Sequence, residues 1–286
     1  MLNNSVKPVW LASYPKSGNT WMRLFFTALT KEEPDINEME TDGIISSRLI
    51  MDQSLGMPSS AIPEEDLLEI RSAMYHRWAQ TSKKEFLLCK VHDACFREGI
   101  MLFPGQITRG VIYVIRNPFD IAASLANHNR STIAEAVKAL CDNQYTLSNS
   151  RNKLTYQLSQ YMGTWSNHVD SWTNAHRDNI QVIKYEEMIS KPFDTFSKVI
   201  DYLGLSHSSE DILSAIDKTS FDKIKKQESE KGFGEAPLKV DSFFRSGKVG
   251  GWQQELSAEE VRMIIDVNYA TLVRYGYISE KGEVLV

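Results

Sequence analysis

Long apolar runs are missing from this chain. No stretch approaches the roughly 20 apolar residues that cross a bilayer, and the opening MLNNSVKPVW lacks the apolar core of a signal peptide. No membrane partner is expected, and the cytoplasm is the expected compartment. Cysteine is scarce: Cys89, Cys95 and Cys141 are too few to close a disulfide framework and suit a reducing environment. Excess positive charge is missing too. The 32 Lys and Arg face 37 Asp and Glu, a formal charge of −5, which argues against nucleic acid or an anionic surface as partner. Any anionic ligand must therefore be met by a few local cations. No repeat, linker or disorder-prone block interrupts the 286 residues, and 42% hydrophobic with 24% charged residues is ordinary for a globular protein. An α/β fold with a central parallel sheet flanked by helices is expected, as a single domain over residues 1–286 in preference to two small ones. Also absent is G-x-x-x-x-G-K-[ST], the nucleoside-triphosphate loop in which Lys follows the second Gly.

What stands in its place is VWLASYPKSGNTWMRLFFTAL, residues 9–29. Residues 9–12 are apolar and β-prone, while Met22, Leu24, Phe25, Phe26 and Leu29 give the following stretch one apolar helical face. Pro15 and Gly18 bend the chain between them. Lys16, Ser17, Asn19 and Thr20 then put one cation and several small donors at a helix start, where unsatisfied N–H groups and the macrodipole favour an anion. A plain strand-to-helix turn with an incidental lysine is the alternative. Because Lys16 precedes Gly18, an ATP or GTP site is disfavoured.

Residues 31–63, with turn signals at Asp42-Gly43 and 56–58, read as a capping segment or lid. A helix over 64–78 can present Leu67, Leu68, Ile70, Met74, Tyr75 and Trp78 on one face. A strand over 85–91 brings Lys90, Val91 and His92 to its carboxyl end, where open α/β sheets meet ligands. Cys89, His92 and Cys95 have a superficial metal spacing. Strand alternation turns Cys89 away from Lys90 and His92, and no second ligand pair lies nearby in sequence, so no metal is expected. GVIYVI at 110–115 reads as a strand buried on both faces. It ends at Arg116, with Asn117 placed to cap and Pro118 to open a helix over 119–129. Ser124 follows Arg116 by eight residues, about two helical turns. A surface ion pair is the alternative for Arg116, weakened by this second cation at a strand-to-helix junction. Helices are expected over 132–147 and 156–176, the latter with a core stripe of Tyr161, Trp165, Val169 and Trp172 and a structural His168 beside it. IQVIK at 180–184 is a strand leading into Tyr185-Glu186-Glu187-Met188. Helices over 193–203 and 212–216 and a capping boundary at Thr219-Ser220-Phe221-Asp222 follow. Residues 228–251 read as a mobile loop able to order around an anion, and Ser257 caps a last helix.

Four of these stretches, in this order, resemble the sulfotransferases that use 3′-phosphoadenosine 5′-phosphosulfate (PAPS). Tyr14-Pro15-Lys16-Ser17-Gly18-Asn19-Thr20-Trp21 is similar to that family's phosphosulfate loop, YPKSGTTW. Lys90-Val91-His92 resembles its K-T-H segment, in which the histidine is the acceptor's general base. Arg116 and Ser124 fall on the positions that hold the 3′-phosphate. Arg245-Ser246-Gly247 resembles R-K-G, and Gly250-Gly251-Trp252 follows as G-D-W does in many members. The resemblance implies a P-loop-like sulfotransferase fold and adenine contacts from Trp21, Tyr185, Thr219 and Phe221. Ser246 departs from a phosphate-binding lysine, for which Lys248 or backbone N–H groups could stand in. The segment after Trp252 departs from the K-x-x-x-T-V-x-x-x-E dimer motif, so a monomer, or a dimer built some other way, is expected.

The implied reaction moves a sulfuryl group from PAPS to a hydroxyl or amine of a small-molecule alcohol, phenol or amine and leaves 3′-phosphoadenosine 5′-phosphate (PAP). His92 would take the acceptor proton, and Lys16 would meet the charge that grows on the bridging oxygen. Two rival readings are carried. A nucleotide kinase would need Mg²⁺ and bind ATP, against which the missing G-K-[ST] counts; a catalytically silent nucleotide-binding scaffold would bind PAP without turnover, against which Lys16 and His92 count.

Overall fold

The structure is a computed structural model and describes residues 7–39, 41, 44–81, 87–149, 154–237 and 242–286. The expected Asp42-Gly43 turn, the first residues of the 85–91 strand and part of the 228–251 loop lie outside the described residues. Four strands, β1 (Pro8–Ala12), β2 (Leu87–Val91), β3 (Gly110–Ile115) and β4 (Ile180–Lys184), form one sheet in the order β2–β1–β3–β4. β1 runs parallel to both neighbours, with Leu11 opposite Lys90 on one side and Ile112 on the other. Every residue of β1 and β3 is buried, as the unbroken apolar runs PVWLA and GVIYVI require of a sheet covered on both faces.

The helices, in chain order, are α1 (Asn19–Thr30), α2 (Arg48–Leu55), α3 (Glu64–Thr81), α4 (Pro118–Asn129), α5 (Ile133–Cys141) and α6 (Trp165–Ala175). They continue with α7 (Tyr185–Ser190), α8 (Pro192–Leu203), α9 (Ser209–Lys218), α10 (Phe221–Lys231) and α11 (Ala258–Arg274). Several starts are capped as their sequences dictate. The Asn117 side chain accepts from the Asp120 N–H ahead of Pro118, and Ser257 forms a reciprocal capping box with Glu260. No described helix is long and apolar enough to cross a membrane.

Two compact units share the chain. The first comprises Met1–Tyr14, Thr41–Tyr113 and Asp142–Gln181, and the second Pro15–Glu40, Val114–Cys141 and Val182–Val286. In the first, Phe103 packs edge-on to Trp10 at 5.1 Å and stacks on Tyr75 at 5.6 Å and Trp172 at 5.0 Å. The Trp10 indole donates to Thr108 Oγ1 at 2.8 Å, so this fully buried ring has its polar atom satisfied. In the second, Phe25 of α1 stacks on Phe196 of α8 at 4.2 Å. Leu24, Ile36, Ile224, Phe233 and Phe244 form a further buried cluster there.

Three expectations are corrected. The helix read over 132–147 ends at Cys141, and Thr146–Leu147 instead pairs antiparallel with Gln160–Tyr161. The helix read over 156–176 starts only at Trp165: Gly163 has φ 62° and Thr164 caps, accepting from Asn167 N at 3.0 Å, so helical periodicity upstream meets a break. The segment 31–63, read as lid rather than core, contains α2 and buries Ile36, Ile45 and Met51.

Candidate active site

In open parallel sheets, ligands are met outside the carboxyl ends of the strands, where the strand order reverses. Here the order turns about β1, whose carboxyl end runs into the 13–18 loop. Directly after the other three strands come His92, Arg116 and Tyr185.

Within the second unit, the loop before α1 is shaped by two left-handed residues, Lys16 with φ 69° and Gly18 with φ 103°. Gly18 occupies the N-cap of α1 with no side-chain cap, and no acidic residue lies in the first turn. The helix start therefore keeps its electropositive character. Gly18 is required sterically as well, since a Cβ there would stand 2.6 Å from Tyr185 Cδ2. The Lys16 ammonium lies 3.5 Å from the centroid of Phe243, a cation–π contact. The Glu228 carboxylate holds the Phe243 backbone, accepting from the Phe243 and Phe244 N–H groups and the Ser242 hydroxyl.

Arg116 joins two motifs far apart in sequence. Its Nη1 donates to the Lys16 carbonyl at 3.1 Å and its Nη2 to the Lys248 carbonyl at 3.2 Å. The guanidinium carbon sits 4.3 Å from the Tyr185 ring centroid, and Asp120 lies 3.8 Å from Nη2. Burial raises the Tyr185 phenol above its usual range, opposed by Arg116. Trp21 meets Tyr185 edge-on at 6.2 Å and Phe196 at 5.6 Å. Gly247, with φ 60°, approaches Phe221 so closely that a Cβ would come within 2.4 Å of the ring. These contacts bring together Lys16, Gly18, Trp21, Arg116 and Tyr185, and pair Phe221 with Gly247. Ser17 Oγ, Trp21 Nε1 and Arg116 Nε are among the buried polar atoms that have no hydrogen-bond partner among the described residues, although buried polar groups are almost always paired.

The remaining expected residues have their own surroundings. Arg245 makes a bidentate pair with Glu255 at 2.8 and 2.7 Å. Thr219 is fully buried, and its hydroxyl donates to the Ala215 carbonyl at 2.8 Å, closing α9. Ser124 is half-buried two turns into α4, and Ser246 and Lys248 are exposed. Asn19 is buried at the first position of α1 and Thr20 half-buried at the second. Asp120, which carried no expectation, accepts from the Gly250 N–H at 3.0 Å and the Trp252 N–H at 3.1 Å and so seats the glycine-rich end of the 245–252 stretch. An acid in a first helical turn is too common to have singled it out.

In the first unit, His92 is half-buried, and its Nδ1 lies 2.9 Å from the Ser13 carbonyl oxygen and 3.4 Å from Ser13 Oγ. A carbonyl can only accept, so Nδ1 carries a proton, and in the neutral ring the lone pair then resides on Nε2. This is the tautomer in which Nε2 can take a proton. The adjacent Asp93 is buried and gripped by Arg71 through two 2.9 Å bonds. Among the described residues no cluster of three His, Cys, Asp or Glu could hold a metal ion. Cys89 and Cys95 are buried and outside any disulfide, the latter's thiol pushed up to about 12 by burial.

Residues 7–275 match the profile of the sulfotransferase domain family. Cytosolic sulfotransferase 13 of Arabidopsis thaliana is 24% identical over 263 residues, 88% of this chain and 73% of that protein. The flavonol 3-sulfotransferase of Flaveria bidentis is 23% identical over 272 residues, 90% of this chain and 78% of that one. The crystal structure of mouse sulfotransferase SULT7A1 complexed with PAP shares the fold with a TM-score of 0.58 at 20% identity, covering 96% of this chain and 85% of that one.

Proposed function

The chain belongs to the sulfotransferase domain family, and from that premise we propose that it transfers a sulfuryl group from PAPS to a hydroxyl or amine of a small-molecule acceptor, with His92 as general base. The reading treats residues 1–286 as one sulfotransferase domain, supported by a family match that runs through both units. One observation carries the donor assignment. Arg116 bridges the carbonyls of Lys16 and Lys248, and its Nε, with Ser17 Oγ and Trp21 Nε1 of the same unit, is buried without a hydrogen-bond partner among the described residues. That donor set, hydroxyl, indole N–H and guanidinium N–H around an uncapped helix start, fits a phosphorylated adenine nucleotide.

When bound, the donor supplies an activated sulfuryl group on a phosphate leaving group. Ser17, Gly18, Asn19 and Thr20 hold the 5′ end through side chains and N–H groups at the start of α1. Lys16 offers its cation where charge grows on the bridging oxygen, drawn from the face of Phe243. Arg116 and Ser124 hold the 3′-phosphate. Thr219 and Phe221 border the adenine with Trp21 and Tyr185, and the Gly247 backbone, with Arg245 and Ser246, closes over the phosphate. The Arg245–Glu255 pair makes Arg245 the weaker of the two arginine contacts. His92 Nε2 takes the acceptor proton. The flavonol named for the Flaveria relative supports a phenolic or alcoholic acceptor, and the cytosolic relatives support a cytoplasmic setting.

Calorimetric titration with PAP, 5′-AMP and Mg-ATP tests the donor. Tight binding confined to PAP, weakened about 10-fold or more in Arg116→Ala as expected for loss of a charged hydrogen-bonding partner, supports the assignment; preference for Mg-ATP turns the reading to a phosphotransferase. His92→Ala should lower kcat by about two to four orders of magnitude with PAP affinity retained. Undiminished kcat removes His92 from the role.

A further inference from the structure

Beside His92 lies a second imidazole that the reaction as described does not use. His168, in the first turns of α6, is fully buried. Its Nε2 is 2.9 Å from the His92 carbonyl oxygen, and its Nδ1 is 2.7 Å from the Tyr113 hydroxyl on β3. The carbonyl can only accept, so Nε2–H donates to it, Nδ1 becomes the acceptor, and the Tyr113 hydroxyl donates into the ring. The donor order thus runs from Tyr113 Oη to His168 Nδ1 and from His168 Nε2 to His92 O. Burial pushes the His168 imidazole down to about 4, so the ring stays neutral around pH 7. Tyr14 fixes its plane with an edge-on contact at 5.3 Å.

One helical turn further along α6, the Trp172 indole donates to the Asp93 carbonyl at 3.0 Å. Two consecutive carbonyls after β2, those of residues 92 and 93, are therefore held by two side chains of one helix. A core helix beside an apolar stripe has no packing need for an imidazole. Its three polar groups, hydroxyl, ring and carbonyl, repay their desolvation only when all are joined.

We infer that His168 is a positioning residue for sulfuryl transfer: through the Tyr113–His168–His92 hydrogen-bond chain it fixes the main chain of His92 while the Ser13 carbonyl fixes the ring, and together they set where Nε2 points. The inference rests on His92 being the base. Small misplacements of a reacting group are costly, about 100-fold for about 1 Å, so the chain should be visible in kcat rather than in donor binding.

The test compares wild type, His92→Ala, His168→Phe, His168→Gln and Tyr113→Phe in the full chain. It measures kcat with PAPS and 2-naphthol, PAP affinity by calorimetry, melting curves, and nitrogen-15 spectra of the imidazoles. His168→Phe should lower kcat about 10- to 100-fold with PAP affinity unchanged, and His92 should shift from a single Nδ1–H tautomer to an averaged signal. His168→Gln, whose amide N–H can reach the same carbonyl, should restore most of both; a purely structural role would not be rescued selectively in this way. A His92 signal and kcat in His168→Phe equal to wild type overturn the inference. Should His168→Phe fail to melt cooperatively, Tyr113→Phe decides: a loosened His92 tautomer and a lower kcat support the chain, and wild-type values of both overturn it. A normal kcat in His92→Ala would instead defeat the base assignment. The imidazole spectra, which need no acceptor, still judge the positioning if 2-naphthol is not turned over.

Discussion

At the scale of single residues, the two histidines divide chemistry from support by their surroundings. His92 is half-buried, with its ring proton directed to the Ser13 carbonyl; His168 is sealed in, with both ring nitrogens engaged. Burial has a thermodynamic signature. His168 binds a proton more weakly folded, at about 4, than at its ordinary value of 6.5. As pH falls, the unfolded chain takes up this proton first. The contribution of the neutral ring is thus whole above the unfolded pKa and is lost as pH drops through the folded one, by about 3 kcal/mol in all. The wild type should lose more urea resistance between about pH 7 and about pH 4.5 than His168→Gln, which has nothing to titrate there. Parallel loss in the two proteins would show that the acid sensitivity originates at other groups. Sequence periodicity reads His168 correctly as an interior residue. It does not reveal the hydrogen bonds to Tyr113 and His92, whose partners lie 55 and 76 positions away.

At the scale of elements, the strand–loop–helix that opens the chain works because its backbone, not only its side chains, is committed. Gly18 combines φ 103° with a close approach to the Tyr185 ring, and the same ring carries the cation–π contact with Arg116. Gly18→Ala should therefore cost about 1–2 kcal/mol for the left-handed residue alone and displace Tyr185 besides. The expected result is a lower urea midpoint together with PAP affinity weakened about 10-fold, as a loss of about 1.4 kcal/mol in binding would give; an unaltered PAP affinity would show that Tyr185 and Arg116 do not depend on this contact. The loop, its helix and the Arg116 junction were legible because an apolar run, a Pro/Gly turn and a cap each leave a local mark. Where the sequence reading overran, at 132–147 and 156–176, the residues outside the helices include a two-residue antiparallel pairing between Thr146–Leu147 and Gln160–Tyr161, and Gly163 and Thr164 then set the start of α6. Such a pairing joins distant residues and leaves apolar periodicity undisturbed. The Arg245–Glu255 pair and the Glu228 hold on Phe243 escaped for a related reason: nothing in the residue types says which carboxylate an arginine or an N–H will meet.

At the scale of the whole molecule, a net charge of −5 leaves no general attraction for a polyanionic nucleotide, so donor binding has to come from a local concentration of donors and cations. The candidate donor residues, Lys16 to Trp21, Arg116, Ser124, Tyr185, Thr219, Phe221 and Arg245 to Gly247, all belong to one compact unit, whereas His92, Ser13, Tyr113 and His168 belong to the other. The β-prone runs and the motif order made the family legible, but this division was not, because each unit is assembled from three separated stretches. It has a measurable consequence. Ligand binding stabilises what it touches by mass action, about 2.7 kcal/mol at a hundredfold excess over Kd, and slows amide exchange most where contacts form. With PAP alone, added protection should concentrate at residues 16–21, 116–124 and 245–252 of the second unit, with little change at 87–93. Protection centred on 87–93 instead would place the nucleotide against the unit that carries His92 and would undo the donor assignment of Arg116. Because exchange is read without an acceptor, the outcome judges the donor residues independently of which hydroxyl the enzyme sulfates.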